Sequence, residues 1–346
     1  MASTAPSIDE WRRLYEAAEA FGEIRSWEWM SDSWTFGVRD PITGTIAYCS
    51  VMGALGELYG LAAYLGAEGL HSLQDMLLRE PDYDDINLGM DIRSLMATFQ
   101  SRGDLRKADL EVIRKLGLSF RGRHSWPLFR SYEPGLFPWF LTQDQAAFLT
   151  LILQQATNVC LRTHDDPNLL LSPLSKGLYL VRMPEETDEK TVWHDQLIQP
   201  EQLVAARPET PIQIDELRLI RVRDAAKAGN SIWDADVFYA PACVSENPKS
   251  RPYYPFMCLW VDHHSQAVLA MEMAEHDKYR QAFVDKFIDL VQHLETRPRE
   301  IRVKRELAHR LYQDVAAKLG IPVRQVDELG ALERIQTQLA SFLEGR

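Results

Sequence analysis

The order of strand-like and helix-like segments in the last third of the sequence constrains the fold more than any other feature. Three segments rich in β-branched and aromatic residues come first, and helical patterns then alternate with two further strand-like segments. The strand-like segments are 237–242, 256–261, 267–273, 300–303 and 322–326. Short turns join antiparallel strands, whereas parallel neighbours need a crossover helix. The order therefore predicts one compact unit at residues 232–343 with a mixed five-stranded sheet.

This third of the sequence resembles the ribonuclease H-like cores of retroviral-type integrases and transposases. The resemblance rests on Trp-Asp-Ala-Asp at 233–236, Leu-Trp-Val-Asp-His-His-Ser at 259–265 and Pro-Arg-Glu-Ile-Arg-Val at 298–303. It implies a ribonuclease H-like domain at residues 229–346, with the stretch 233–236 just before its first strand. Phosphoryl chemistry at two metal ions requires several carboxylates that converge on those ions.

The set of carboxylates implied by this resemblance is incomplete. Asp236 and Asp262 are the candidate catalytic residues for an Mg²⁺ or Mn²⁺ site, but Lys304 or Arg305 stands where the family has its second catalytic aspartate. A cation at that position repels a divalent metal ion. We therefore expect no cofactor, and a non-enzymatic binding or interaction protein with a catalytically degenerate ribonuclease H-like domain. The alternative is a metal-dependent nuclease or phosphate-ester hydrolase that uses Asp236 and Asp262.

Helical and strand-like patterns also alternate in the first half of the chain. Ser7 and Glu10 form a capping box in front of an amphipathic helix, and Thr142 is the expected N-cap of a longer helix. The segments 34–38 and 45–51 flank a turn with Asp-Pro and Gly, which predicts a β-hairpin.

These patterns predict an α+β fold class. We expect an N-terminal α+β domain at residues 1–165, packed on a C-terminal ribonuclease H-like domain at residues 229–346 with a mixed five-stranded sheet. Residues 166–228 are expected to be connecting strands, among them a short strand at 217–223.

The whole chain also resembles an uncharacterised bacterial protein family. The shared stretches are Trp-Glu-Trp-Met at 27–30, Val-Met-Gly at 51–53, Gly-Arg-His-Ser-Trp-Pro at 122–127 and Pro-Trp at 138–139. This resemblance implies no activity, because none is assigned to the family.

The stretch 120–140 is the best candidate for a binding surface. It is dense in aromatic residues, prolines and arginines, which predicts an ordered loop. The candidate binding residues are Arg121, Arg123, His124, Trp126 and Arg130. Arginines between aromatic residues can hold phosphates, so we expect an anionic ligand or an acidic partner here. The alternative is that the arginine stems only cover aromatic rings that pack the loop onto the core.

A group of nitrogen and oxygen ligands lies between residues 262 and 276. Its members are Asp262, His263, His264, Glu272 and His276. No H-x-x-x-H or H-E-x-x-H spacing places two of them on one helical face, and adjacent histidines in a turn point in different directions. We therefore expect a solvated turn and no metal site.

Composition excludes several classes of protein. With 38 Lys and Arg against 50 Asp and Glu, the formal net charge is −12, which disfavours general binding to nucleic acid or anionic membranes. No apolar run approaches the ~20 residues of a membrane-spanning helix, and the first residues lack the pattern of a secretory signal. The four cysteines are scattered without a C-x-x-C pair, which predicts reduced thiols. We expect a cytoplasmic protein with no membrane partner.

Overall fold

The described residues fold into two compact units, each with its own β-sheet. This computed structural model describes residues 4–78, 90–187, 191–200, 211–245, 247 and 250–344. The first unit comprises described residues 4–78, 91–134 and 138–200, and the second comprises 90, 135–137 and those from 211 onward. None of the described helices is long and apolar enough to cross a membrane.

The first unit is built on an eight-stranded sheet. Its helices are α1 (Ile8–Ile24), α2 (Gly66–Leu78), α3 (Lys107–Leu116), α4 (Gln143–Asp165) and α5 (Asn168–Leu174). The strands of this sheet are β1 (Phe36–Arg39), β2 (Ile46–Met52), β3 (Tyr59–Leu65), β4 (Ser94–Gln100), β5 (Trp126–Glu133), β6 (Leu136–Trp139), β7 (Tyr179–Glu186) and β8 (Thr191–Ile198). The strand order is β6-β5-β4-β3-β2-β1-β7-β8, and β1 and β7 run parallel.

Neighbouring residues in the centre of this sheet alternate between two hydrophobic cores. Cys49 of β2 faces a core shared with α1 and α4, whereas Tyr48 faces a smaller core with α2. The predicted helix starts are confirmed, because α1 begins at a capping box of Ser7 and Glu10 and α4 begins at Thr142. The predicted hairpin is also confirmed, since β1 and β2 pair antiparallel.

Residues 120–140 are not a loop, and that expectation was wrong. Most of the stretch forms β5 and β6, which are joined at Gly135 with a φ of 72°. β5 pairs with β4 from Ser94 to Gln100. This pairing satisfies backbone donors and acceptors over the length of β5, and it outweighs the local proline and aromatic content.

Residues 217–223 form a helix, so the predicted strand was also wrong. α6 (Glu216–Ala225) begins after Asp215, whose side chain caps its first turn. Leu219 and Val222 are buried and lie three residues apart, which is the spacing of one helical face.

The second unit contains the predicted mixed five-stranded sheet, so this prediction is confirmed. Besides α6, its helices are α7 (Tyr279–Leu294), α8 (Glu306–Lys318) and α9 (Gly330–Glu344). Its strands are β9 (Lys227–Ala228), β10 (Ile232–Tyr239), β11 (Phe256–Asp262), β12 (Val268–Ala274), β13 (Thr296–Arg297), β14 (Glu300–Val303) and β15 (Val323–Gln325). The sheet order is β12-β11-β10-β14-β15, while β9 and β13 form a separate pair. β10, β11 and β12 pair antiparallel, whereas β10, β14 and β15 run parallel.

The two faces of this sheet pack on different helices. One face packs on α7 and α8, where the rings of Trp260 and Phe287 stack with centroids 5.0 Å apart. The other face packs on α9 through a smaller apolar cluster that contains Phe238 and Leu332. The stretch 233–236 lies inside β10 and not before the strand, which corrects the expectation from the resemblance.

Gly60 and Gly66 allow a matched test of the packing between β3 and β4. Both have positive φ angles, but a Cβ on Gly60 would lie 2.2 Å from the Ala97 carbonyl oxygen, whereas a Cβ on Gly66 would meet nothing within 4 Å. We expect Gly66→Ala to lower the free energy of unfolding by about 1–2 kcal/mol, the cost of left-handed backbone for a residue with a side chain. Gly60→Ala should cost clearly more, because two strand backbones would have to separate. Equal losses in denaturant unfolding would contradict this description of the sheet.

Candidate functional site

Two carboxylates lie on the central strand of the second sheet. β10 is buried along its whole length and runs between β11 and β14. Asp234 and Asp236 are two residues apart, so they point to the same face, and each is only 2% exposed. Burying a carboxylate is strongly unfavourable unless hydrogen bonds and opposite charge compensate it. The groups that contact these two side chains therefore define the candidate site.

Asp236 is held by a guanidinium group and a side-chain amide. Its Oδ2 accepts a hydrogen bond from Nη1 of Arg305 and another, 2.9 Å long, from Nε2 of Gln336. Its Oδ1 accepts a hydrogen bond of 2.9 Å from the backbone amide of Val237. The negative charge of Asp236 is thus balanced by Arg305, and both carboxylate oxygens have donors.

The strand-to-helix connection after β14 brings Arg305 to this carboxylate. β14 lies parallel to β10, with Val303 opposite Ala235, and Arg305 is the N-cap residue of α8. The neighbouring Lys304 donates from Nζ to Oε1 of Glu333 on α9, at 2.6 Å. Lys304 and Arg305, which the resemblance aligns with a second catalytic aspartate, therefore both contact carboxylates, and Arg305 contacts Asp236 itself.

Asp234 begins a second chain of polar contacts beside the first. Its Oδ2 lies 2.9 Å from Nδ1 of His263, and Nε2 of that ring lies 3.3 Å from Nη1 of Arg302. A guanidinium can only donate, so Nε2 is the acceptor and the proton on Nδ1 is donated to Asp234. Nε of Arg302 donates in turn to Glu300, at 3.2 Å. This chain ties the turn after β11 to strands β10 and β14.

Asp262, the other candidate catalytic residue, does not meet Asp236. In the antiparallel pairing of β10 and β11, Asp262 lies opposite Trp233 and Leu259 lies opposite Asp236, so the two carboxylates point to opposite faces. Oδ1 of Asp262 accepts hydrogen bonds from the backbone amide and the hydroxyl of Ser265, both at 2.8 Å. The Ser265 backbone amide lowers the pKa of the Asp262 carboxyl, with smaller contributions from the Ser265 hydroxyl and the His264 amide. Asp262 organises the turn between β11 and β12.

The remaining residues of the 262–276 group are also separated. His264 lies in the exposed turn, Glu272 pairs with Lys286 at 3.3 Å, and the ring of His276 packs 5.3 Å from that of Phe256. Among the described residues, no group of three His, Cys, Asp or Glu is arranged to hold a metal ion.

The surroundings of Asp236 do not fit a divalent metal ion. Such an ion needs several oxygen ligands with negative charge, whereas Asp236 faces the cation of Arg305 and the neutral amide of Gln336. Asp234 is on the same face, but it is engaged with His263. The charge of Asp236 is already matched by the protein.

The buried cysteines do not provide a reactive nucleophile. Burial raises the pKa of the Cys160 and Cys258 thiols to about 12, and it also raises that of Cys49. These thiols are therefore protonated near neutral pH, and the thiol is a poor nucleophile compared with the thiolate. Cys243 is exposed.

In the first unit, the candidate binding residues at 121–130 fall into two groups. Arg130 is buried, and its guanidinium makes two hydrogen bonds to Asp109 of α3, at 2.7 and 2.9 Å. Trp126 is half-buried against the core, with the Arg102 guanidinium 6.0 Å from its ring centroid. Both residues therefore have structural roles.

Arg121, Arg123 and His124 form the exposed group. They belong to a stretch that we call the basic segment, residues 102–124, which contains seven Lys or Arg and three Asp or Glu. Six of its cations are exposed and make no ion pair with any described residue: Arg102, Lys107, Arg114, Lys115, Arg121 and Arg123. A positive surface thus stands out in a strongly acidic chain.

Sequence reasoning missed the partners that complete these contacts. Asp234 could have been identified from the sequence, because it lies two residues before Asp236 in an otherwise apolar stretch and would share its face of a strand. Gln336 interrupts the apolar face of α9, which is the signal of a buried polar contact. Nothing near Asp109 in the sequence identifies Arg130 as its partner, because that contact depends on the packing of α3 against β5.

Comparisons with known proteins match a family model to each of the two parts of the chain. The family model described as Domain of unknown function (DUF7309) matches residues 11–182, which covers most of the first unit. The model described as Domain of unknown function (DUF6930) matches residues 218–340, most of the second unit. None of the curated proteins matches the sequence. The two parts of the chain are therefore similar to two families of domains, both described as of unknown function.

Proposed function

We propose that this chain is a non-enzymatic binding protein, and that residues 229–346 form a ribonuclease H-like domain without catalytic metal ions. The sheet order β12-β11-β10-β14-β15 supports the proposal. An antiparallel unit of three strands is extended by two parallel strands through crossover helices, as the resemblance implies.

The contact between Arg305 and Asp236 is the observation that carries this proposal. Asp236 is on the central strand, where the resemblance implies a metal-binding carboxylate, and Arg305 stands near the position of a second one. A metal ion that bound Asp236 would have to displace this guanidinium or remain beside it. At 4 Å and an effective dielectric constant of about 20, repulsion amounts to about 4 kcal/mol for each pair of unit charges, and a divalent ion doubles it.

The basic segment is the surface that we propose for an anionic partner. Its six exposed cations make no ion pair with the described residues, although the chain carries a net charge of −12. An anionic partner would relieve the repulsion among these cations and would be steered towards them over distances of a Debye length, roughly 8–10 Å.

Purified protein is expected to show no Mg²⁺- or Mn²⁺-dependent cleavage of DNA or RNA, because Arg305 neutralises the carboxylate that such chemistry needs. Calorimetric titration with either ion should give the same result for the wild type and for Asp236→Asn. Metal-dependent cleavage that is lost in Asp236→Asn or in Asp262→Asn, but kept in the exposed-carboxylate control Asp277→Asn, would overturn the proposal.

Replacing two exposed arginines tests the basic segment. The double variant Arg121→Gln, Arg123→Gln should bind heparin, used as a model polyanion, with a dissociation constant raised by about tenfold or more, since each charge-assisted contact contributes roughly 1.5–3 kcal/mol. Binding of the wild type should also weaken steeply as salt increases.

The matched control is Arg221→Gln with Arg299→Gln, which removes the same charge from exposed positions of the second unit. If both double variants bind heparin equally well, the basic segment has no special role, and its arginines only solvate the surface.

A further inference from the structure

β12 is an edge strand without the features that usually protect such an edge. It ends the five-stranded sheet, and its outer edge pairs with no described residue. The strand is seven residues long and contains no Lys, Arg or Pro. Its only charged residue is Glu272, whose carboxylate lies 3.3 Å from Nζ of Lys286 on α7. Soluble proteins normally protect such edges with charges, prolines or very short strands.

The other sheet edges among the described residues carry that protection. β15, at the opposite edge of the same sheet, has only three residues and includes the exposed Arg324. In the first unit, β6 contains Pro138, and β8 carries His194 and Asp195. β15 and β6 are therefore shorter than β12, and β8, which has eight residues, carries two adjacent ionisable side chains.

Three apolar side chains of β12 are exposed on one face. Val268, Met271 and Met273 are 51%, 48% and 54% exposed. They lie opposite Val261, Leu259 and Met257 of β11, which pack under α9. α9 thus covers β11 but not these three side chains of β12. The unpaired backbone edge of β12 therefore lies beside an exposed apolar strip.

We propose that two copies of this chain pair through β12, antiparallel across a two-fold axis near Met271. Two five-stranded sheets would then join into one continuous sheet. The strand is self-complementary in this register, because Glu272 lies opposite the partner's Ala270 and Val268 lies opposite the partner's Ala274. No like charges meet, and both Met271 side chains lie together at the axis.

Charge favours a second copy at this particular edge. Each copy carries a formal charge of −12, so two copies repel each other over most of their surfaces. β12 itself adds little to this repulsion, since its only charged residue, Glu272, is already paired with Lys286. The adjoining groove of about 650 Å³ between β12 and α7 has an apolar floor of Leu269 and Leu290. Its charged lining residues are two acidic and two potentially basic ones: Asp289, Glu295, Lys286 and His293.

Sedimentation equilibrium and light scattering on the full chain, from low to high micromolar concentration, test this proposal. We expect a concentration-dependent mass that approaches twice 39.7 kDa. Met271→Lys and Met273→Lys should each raise the dimer dissociation constant by about tenfold or more, since they place like charges close to the axis. Hydrogen exchange of the β12 amides should slow as the wild type dimerises.

Ile220→Lys is the matched control, because Ile220 is also an apolar residue, 45% exposed, but belongs to α6 and not to the β12 edge. This variant should dimerise like the wild type, and circular dichroism should show that all variants remain folded. A wild type that stays monomeric throughout, or a dimer that survives the combined Met271→Lys, Met273→Lys variant, would overturn the proposal.

Discussion

The ion pair between Asp236 and Arg305 is the interaction on which the second unit depends. A carboxylate in the middle of a fully buried strand requires a charged partner, and the fold supplies it from the start of α8. Gln336 adds a donor from α9, so one carboxylate connects β10 with two different helices. Removing a single partner would leave a buried charge uncompensated, which is far more costly than the net stability of the pair.

The same interaction is the basis for the proposal that this domain lacks metal-dependent chemistry. In the arrangement that the resemblance implies, carboxylates on neighbouring strands hold metal ions, and the metal charge compensates them. Here a guanidinium supplies the positive charge, and Lys304 is paired with Glu333 close by. The second contact chain, through Asp234, His263 and Arg302, uses the remaining carboxylate of this face to fix the turn after β11.

The sequence predicted elements whose signals are local. The five strands of the second sheet and the helix starts at Ser7 and Thr142 follow from residue period and capping chemistry, which neighbouring residues determine. The strand β5 could not be recognised this way, because its backbone is stabilised by pairing with β4, a partner distant in sequence. α6 was misassigned because Leu217 and Leu219, and likewise Ile220 and Val222, are two residues apart, as apolar residues are in a strand, and only packing shows which side chains are buried.

In the candidate site, too, the sequence identified individual residues but not the partners that packing brings to them. Asp236, Lys304 and Arg305 could be singled out from the sequence, but their pairings with Gln336 and Glu333 depend on where α9 packs. Likewise, charge counting identified arginines near residue 121, yet only the fold separates the buried Arg130 from the exposed ones.

A double-mutant cycle on Asp236 and Arg305 tests the central claim most directly. Denaturant unfolding of Asp236→Asn, Arg305→Gln and the double variant gives the coupling free energy, with the exposed pair Glu68 and Arg93 as the comparison. We predict that Arg305→Gln alone costs about 3–5 kcal/mol, since it leaves a buried carboxylate unpaired, and that the double variant costs clearly less than the sum of the single ones. If the loss in the double variant equals the sum of the two single losses within about 0.5 kcal/mol, the two residues are energetically independent. That result would contradict the claim that Arg305 compensates the charge of Asp236.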